Sequence, residues 1–367
     1  MASASSPLQI LLTGATGYIG GTILTQLLNS TSPALKDATI SCLVRGPDRV
    51  AKLTSAYGSR VRPILYKDID DLEATVAAAA QHDLVINTTL GYHPSSGVAL
   101  VRGLSQRKAA TGRDVWLIFT SGTSNVGDRP VSKAWVEERA DREFDDAADD
   151  VYAYEKDREV RDGLYLQRTA ELAVVDAGLE FGVKTLVIMS PTIFGIGTGL
   201  FNNISIQIPT YIRAVLKQKR GVVVADGAGV WDAVHVQDLA ELYLLVVRRI
   251  LESGGEGVPT GKKGIIFSGN GRHSWREVAQ GVADVCYAEG KLTSTNLESL
   301  TLAEAAKVFT LGIGEWENED FVERAFASNS RTVSNVGRKL GWKPTRGEDA
   351  WKAGFRDDLK VVLEQVK

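Results

Sequence analysis

The segment Gln9–Gly21, QILLTGATGYIGG, constrains the fold more than any other part of the chain. Ile10–Leu12 is a short apolar run typical of a buried parallel strand, and the residues after the segment carry apolar side chains at helical spacing. Between them lie Gly14, Gly17 and Gly20. In a strand–turn–helix unit the first glycine permits a tight turn, the second lets the backbone approach a diphosphate, and the third lets the helix pack on the strand. The segment therefore predicts a nucleotide site, with the N–H groups of the helix start facing the phosphates.

The composition narrows the classes of protein that fit. The 367 residues are 44% hydrophobic, which is ordinary for a globular protein, and the length predicts a large domain with a smaller lobe. A net charge of −3 argues against nucleic acid or an anionic membrane as the main partner. The two cysteines, Cys42 and Cys286, give neither a disulfide framework nor a metal-type spacing, so we expect no metal. Residues 1–7 lack the pattern of a signal peptide and no stretch has membrane-spanning length, which predicts a frayed end and a cytoplasmic protein without a membrane partner.

Further apolar runs alternate with helical segments along the first half of the chain. They predict strands at Thr39–Val44, Arg62–Tyr66, Asp83–Asn87, Val115–Phe119 and Lys184–Met189. This alternation predicts an α/β fold with a doubly wound parallel sheet. Ligands of such sheets bind at the carboxyl ends of the strands, where this chain carries small polar residues.

Arg45 directly follows the second predicted strand. In dinucleotide-binding folds an acidic residue here binds the ribose 2′-hydroxyl of NAD, whereas an arginine accommodates the 2′-phosphate of NADP. The sequence therefore favours NADP, with NAD as the alternative.

The segment Val136–Asp150 is the most acidic part of the chain. Its carboxylates do not match the spacing of a calcium loop. We expect a solvated, mobile flap over the site.

Six separated motifs lie along the chain between residues 13 and 344. They are TGATGYIGG (13–21), KDI (67–69), FTSGTSNVG (119–127), SPTIFG (190–195), WDAVHVQDLA (231–240) and SNVGRKLGWKP (334–344). Together they resemble the extended short-chain dehydrogenases/reductases, the family that includes NAD-dependent epimerases and dehydratases.

This resemblance implies a Rossmann-type doubly wound sheet with a smaller C-terminal α+β lobe that binds the substrate. Residues 1–195 and the helix at about 232–251 would bind the dinucleotide, and residues 196–231 and 252–367 would form the substrate lobe. It also implies a small-molecule substrate and allows a homodimer. The residues expected to bind the cofactor are Thr13, Gly14, Thr16, Gly17, Tyr18, Ile19, Gly20, Arg45, Asp68, Ile69, Thr88, Thr89, Leu90, Thr120, Ser121, Pro191, Thr192 and Ile193.

The catalytic residues are less regular than the resemblance implies. The family uses Tyr-x-x-x-Lys on one helix and a hydroxyl from the fifth strand. The family spacing favours Tyr165, but Thr169 stands at the lysine position, and Arg168 is the nearest cation. Residue type instead favours Tyr152 with Lys156, although this pair lies about ten residues before the position that the family spacing gives.

The usual hydroxyl position of the fifth strand also differs, because it is occupied by Gly122. Thr123, Ser121 and Ser124 flank it. We expect Thr123 to hydrogen-bond a substrate carbonyl and Ser121 to end the strand.

Three functions follow from these features. The first is an NADP(H)-dependent oxidoreductase that transfers hydride to or from a carbonyl or alcohol group, with tyrosine-assisted proton transfer. The second is a non-redox epimerase, lyase or cyclase on the same fold. The third is an NADP-binding regulator similar to the NmrA-like branch, because Thr169 cannot supply the charge of the catalytic lysine.

Overall fold

The computed structural model describes residues 8–36, 38–139, 141–310 and 318–365, so the expected frayed end at residues 1–7 lies outside the described residues. The strands are β1 (Ile10–Thr13), β2 (Ile40–Val44), β3 (Val61–Leu65), β4 (Leu84–Asn87), β5 (Trp116–Gly122), β6 (Phe144–Asp145), β7 (Lys184–Ser190), β8 (Thr192–Phe194), β9 (Gly221–Val224), β10 (Val230–His235), β11 (Ile265–Phe267), β12 (Arg272–Ser274), β13 (Leu297–Leu300) and β14 (Thr332–Val333). The helices are α1 (Tyr18–Leu28), α2 (Pro33–Lys36), α3 (Pro47–Tyr57), α4 (Leu72–Ala79), α5 (Pro94–Thr111), α6 (Val151–Arg161), α7 (Leu166–Phe181), α8 (Gln207–Gln218), α9 (Val236–Ser253), α10 (Trp275–Ala288), α11 (Leu302–Ala305), α12 (Glu319–Phe326), α13 (Asn335–Leu340) and α14 (Glu348–Gln365).

A seven-stranded parallel sheet, in the order β11–β7–β5–β4–β1–β2–β3, organises the larger part of the chain. Every residue of β1, β2 and β4 is buried, because helices cover both faces. Helices α1 and α9 pack together on one face, and α4, α5 and α7 cover the other. The predicted doubly wound α/β sheet is confirmed. The strand order reverses between β1 and β4, so a crevice opens at their carboxyl ends.

The edge strand β11 pairs with β7 in parallel register. The expected division places residues 252–367 in the second lobe, yet the large sheet takes this strand from that range. Its run of three apolar residues predicts a strand but does not identify the partner.

The second lobe has an apolar core of its own. Helices α8, α10 and α14 pack around β9. The rings of Tyr211 and Phe309 lie 4.7 Å apart, and those of Phe309 and Phe326 lie 4.8 Å apart. Within the part of the chain that the structure describes, no helix is both long and apolar enough to cross a membrane.

The described part of the acidic segment Val136–Asp150 is not the mobile flap that its charge predicts. Strand β6 within it pairs with β14. Asp146 is buried and accepts hydrogen bonds from the backbone N–H groups of Phe267, at 2.9 Å, and Asn335, at 2.8 Å. The expectation of a flap was wrong for this part, because β6 and the Asp146 carboxylate bind distant segments. Other carboxylates of the segment are exposed as the charge predicts, such as those of Glu138, Asp141 and Glu143.

Helices α6 and α7 bury two carboxyl groups against each other. Glu155 and Glu171 are both fully buried, and the Asn125 amide donates to Glu171 at 2.8 Å. Burial and the neighbouring carboxyl group raise the pKa of Glu155 well above its ordinary value, and burial raises the pKa of Glu171 to about 7. The pair therefore favours a state in which a proton is retained.

This pair predicts a pH-dependent stability. Both pKa values rise on folding, so the stabilisation is present below the ordinary glutamate value and is lost as the pH rises through about 7. Glu155→Gln should reduce the fall in melting temperature between acidic and mildly alkaline buffer by about 2 °C or more. Thermal melts across that pH range measure this, with the exposed Glu180→Gln as control. Equal slopes in wild type and Glu155→Gln would contradict the prediction.

Candidate active site

The glycine turn between β1 and α1 lies against the end of β4. Gly14 has φ +75°, and a Cβ atom there would lie 2.6 Å from the Thr88 hydroxyl oxygen. A Cβ on Gly20 would lie 2.3 Å from the Gly14 carbonyl oxygen, to which the Gly17 N–H donates at 2.8 Å. The turn therefore requires glycine at its first and third positions, as the sequence predicts.

The start of α1 is open to an anion. Gly17 is the N-cap residue, and no side chain caps the first turn. Its unpaired N–H groups and the helix dipole favour negative charge at this place. Two arginines lie at the neighbouring end of β2. Arg49 donates to the Thr16 hydroxyl at 3.4 Å, and Arg45 is exposed without an ion pair among the described residues.

Hydrogen bonds connect the carboxyl ends of β1, β4 and β5. Asn87 accepts from the hydroxyl groups of Thr13 and Thr89, each at 2.6 Å. The Thr88 hydroxyl donates to the Thr13 carbonyl at 2.7 Å, and Thr120 donates to the Asn87 carbonyl at 2.8 Å. These bonds fix the small polar residues that the sequence places at the strand ends.

The remaining cofactor candidates lie around this edge. Asp68 and Ile69, in the turn after β3, are partly exposed, and Leu90, after β4, is 60% exposed. On the other side of the crevice, Ser121 is the residue before the last in β5 and accepts from Asn125, so the strand continues one residue beyond its expected end. Pro191 connects β7 to β8, and Thr192 and Ile193 begin β8. Within α1, the Tyr18 hydroxyl donates to the Gly195 carbonyl at 2.5 Å, and Ile19 packs on the core.

The phenol of Tyr165 lies among polar groups from three elements. Its hydroxyl oxygen is 2.9 Å from the Ser124 hydroxyl and 3.2 Å from the Tyr92 hydroxyl. The Arg324 guanidinium, from α12, lies 4.4 Å from the centre of the Tyr165 ring. Since Ser124 follows β5 and Tyr92 follows β4, this phenol lies at the carboxyl edge of the sheet.

Ser124, and not Thr123, provides the hydroxyl beside Tyr165. Thr123 is fully buried, and its hydroxyl oxygen has no hydrogen-bond partner among the described residues. It faces away because the turn after β5 is a short 3₁₀ helix that carries both residues. The expected role of Thr123 therefore does not fit its position.

Arg168 and Thr169 point towards α6. The Arg168 guanidinium is fully buried and donates to Glu159 at 2.6 Å and to the Gly163 carbonyl at 2.7 Å. The Thr169 hydroxyl also donates to Glu159. Neither side chain forms a hydrogen bond with the Tyr165 hydroxyl. Arg168 therefore does not take the place of the catalytic lysine beside the phenol.

Tyr152 and Lys156 lie near the amino end of β11, and not at the carboxyl ends of the strands. Both bind Asp176, with the Tyr152 hydroxyl at 2.5 Å and the Lys156 ammonium at 2.9 Å. The Lys262 ammonium, in the turn before β11, lies 5.0 Å from the centre of the Tyr152 ring. Burial, followed by the Asp176 carboxylate, raises the pKa of Tyr152 to about 12, which is opposite to the need of a proton-transferring phenol. This position does not fit a role at the carboxyl edge.

Three residues near Tyr165 are absent from the sequence predictions. Tyr92 and Gln167 were detectable in principle, because one follows β4 and the other is two residues after Tyr165. Arg324 gives no sequence signal, since it lies far along the chain on a helix of the second lobe.

Known proteins resemble this chain over nearly its full length. Residues 164–257 match the NAD dependent epimerase/dehydratase family, and residues 12–74 match the family described as male sterility protein. The chain is 31% identical to "Oxidase ucsJ" of an Acremonium species over 92% of each sequence. It belongs to the NAD-dependent epimerase/dehydratase family. The family resemblance drawn from the six motifs is confirmed.

Solved structures have the fold of this epimerase/dehydratase-family chain at low sequence identity. A dTDP-glucose 4,6-dehydratase from Streptomyces venezuelae, solved with NAD, has a TM-score of 0.64 and 14% identity over 97% of both chains. A UDP-glucose 4-epimerase from Thermus thermophilus, in complex with NAD, has a TM-score of 0.58 and 17% identity, covering 97% of this chain and 99% of its own. At these identities the likeness concerns the fold.

The glycine turn predicts a specific loss of nucleotide binding. A Cβ on Gly17 would lie 3.2 Å from the Gly14 carbonyl and would crowd the turn that faces the phosphates. Gly17→Ala should weaken NADPH and NADH binding about tenfold or more in calorimetric titrations. Gly347→Ala is the control, because a Cβ there meets no atom within 4 Å. Unchanged affinity in Gly17→Ala would contradict this use of the turn.

Proposed function

We propose that this protein is an NADP(H)-dependent oxidoreductase that interconverts a carbonyl and an alcohol group on a small molecule. The observation that carries the proposal is the hydroxyl pair of Tyr165 and Ser124, 2.9 Å apart, at the same sheet edge as the glycine turn. The test is loss of NADPH fluorescence with benzil, ethyl acetoacetate and dihydroxyacetone, with alcohol products identified by mass. NADPH binding without turnover of any carbonyl would overturn it.

The residues at the sheet edge fit a dinucleotide. Gly14, Gly17 and the uncapped start of α1 suit the diphosphate, because a side chain in the turn would fill the space and the free N–H groups attract anions. Asp68 and Ile69 suit the adenine, and Thr88–Leu90 and Pro191–Ile193 border the crevice on either side. When bound, the nicotinamide ring supplies or receives the hydride at the carbonyl carbon.

Arg45 supports the choice of NADP. Its guanidinium is exposed at the end of β2 and has no ion pair among the described residues, so its charge is available to a 2′-phosphate. Arg49, in the first turn of α3, is the second cation near the site and already contacts Thr16.

The preference between the two nucleotides is a direct test of Arg45. Loss of one charge-assisted hydrogen bond is worth about 1.5–3 kcal/mol, so Arg45→Ala should weaken NADP binding about tenfold or more and leave NAD binding almost unchanged. Competitive fluorescence titrations with both nucleotides measure this. Arg113→Ala, on the loop before β5, is the control. An equal loss for NAD and NADP would assign Arg45 no role in the selection.

Tyr165 moves the proton in this proposal. In the reduction its hydroxyl donates the proton to the substrate oxygen while hydride reaches the carbon, and in the oxidation the phenolate receives the proton back. The Tyr92 hydroxyl, 3.2 Å away, can donate a hydrogen bond to the phenolate. The guanidinium of Arg324 lies 4.4 Å from the centre of the Tyr165 ring, which brings a positive charge next to the phenol. Arg324 would thus supply the charge that Thr169 does not.

Replacement of the phenol tests this assignment. Tyr165→Phe should lower kcat/KM about 10²–10⁴-fold, the range for loss of general acid–base catalysis, without changing NADPH affinity. Tyr152→Phe is the matched control and should keep wild-type turnover. If Tyr152→Phe is inactive and Tyr165→Phe is active, the assignment is reversed.

A regulator that binds NADP is the second candidate function. Thr169, at the lysine position, binds Glu159 and leaves the catalytic pair of the family incomplete. This function predicts NADPH binding with no product from any carbonyl or alcohol, whereas a non-redox enzyme would form product with the nucleotide unchanged at the end.

A further inference from the structure

Gln167 fills the space beside the strand residue that lacks a side chain. A Cβ atom on Gly122 would lie 2.7 Å from the Gln167 amide nitrogen and 3.2 Å from its carbonyl oxygen. A Cβ on Gly91 would lie 3.9 Å from the same nitrogen. The Gln167 side chain therefore lies between the ends of β4 and β5, where residue 122 would otherwise project a side chain of its own.

The two ends of the Gln167 amide have different partners. Its carbonyl oxygen accepts from the Ser124 hydroxyl at 2.5 Å, whereas its nitrogen has no hydrogen-bond partner among the described residues. The nitrogen is not fully buried, although the residue as a whole is 9% exposed. The hydrogen bond from Ser124 holds the Gln167 amide in place, and its N–H group is left to donate to a ligand.

The hydrogen-bond directions leave Ser124 without a proton for the substrate. An amide oxygen only accepts, so the single Ser124 proton is directed to Gln167. With no substrate bound, Ser124 then accepts from Tyr165, at 2.9 Å, and this hydrogen bond is given up when the Tyr165 proton passes to a substrate oxygen. A substrate carbonyl oxygen beside Tyr165 therefore needs a second donor, and the Gln167 N–H group is the one that this arrangement offers.

We propose that Gln167 is a catalytic residue whose amide N–H donates a hydrogen bond to the substrate oxygen, in the place that glycine at position 122 leaves open. The inference rests on the proposed oxidoreductase function. Tyr165 gives its proton to that oxygen and the hydride goes to the carbon, while Gln167 keeps both of its protons. It stabilises the negative charge that develops on the oxygen during hydride transfer.

Three variants test the donor. Gln167→Ala should lower kcat for benzil about 10²-fold, as expected for removal of one donor to a developing oxyanion, while NADPH affinity is kept. Gly122→Ser alone should also be impaired, because its side chain meets Gln167. The double variant Gly122→Ser with Gln167→Ala should recover at least about tenfold over Gln167→Ala, since a hydroxyl then occupies the same space.

A spectroscopic measurement gives a readout that does not depend on turnover. A hydrogen bond from Gln167 weakens the carbonyl bond, so benzil bound to the NADP complex should have a lower C=O stretching frequency than in Gln167→Ala. Melting temperatures identify a variant that fails to fold. An unchanged kcat and an unchanged frequency in Gln167→Ala would overturn the role of Gln167 alone, and so would lack of rescue in a folded double variant. Absence of wild-type turnover for all three carbonyls would instead remove the proposed function and this inference with it.

Discussion

The close approach of α1 to the end of β4 is the constraint on which the rest of the structure depends. Side chains at Gly14 or Gly20 would meet Thr88 or the turn itself at less than van der Waals distance. With glycine at both positions the first helix lies directly on the sheet, and its N-terminus opens at the point where the strand order reverses. The polar ends of β1, β4 and β5 then surround one crevice.

Two positions near Tyr165 differ from the family pattern, and at each of them another side chain occupies the place of the missing group. Glycine at position 122 removes a side chain, and the Gln167 amide occupies the space. Threonine at position 169 removes a cation next to the phenol, and the guanidinium of Arg324 lies over the same ring from the second lobe. At both positions, a polar side chain from another segment of the chain lies where the family has its own polar group.

The sequence predicts the parts of the structure that are determined locally. Apolar runs predict the strands because buried parallel strands need them, and the three glycines predict the turn because their spacing serves one geometry. Choosing Ser124 over Thr123 requires the direction of a single 3₁₀ turn, which residue type does not encode. The acidic segment and Arg324 depend on partners more than a hundred residues away, such as Phe267 for Asp146 and Tyr165 for Arg324. Such pairings are properties of the tertiary fold and leave no pattern in a single sequence.

The arginines near Tyr165 also connect the two lobes. Arg129, in the loop after β5, binds Asp162 at the end of α6 and Asp320 on α12, and Asp320 in turn binds Arg324. Arg129 and Arg324 are buried, and removing one partner of a buried ion pair typically costs about 3–5 kcal/mol. Of these contacts, the one between Arg129 and Asp320 joins α12 to the loop after β5, so a hinge motion that separates α12 from the sheet would have to break it. The Asp320 carboxylate in this contact is 48% exposed, so added salt should screen it and ease the separation of α12 from the sheet.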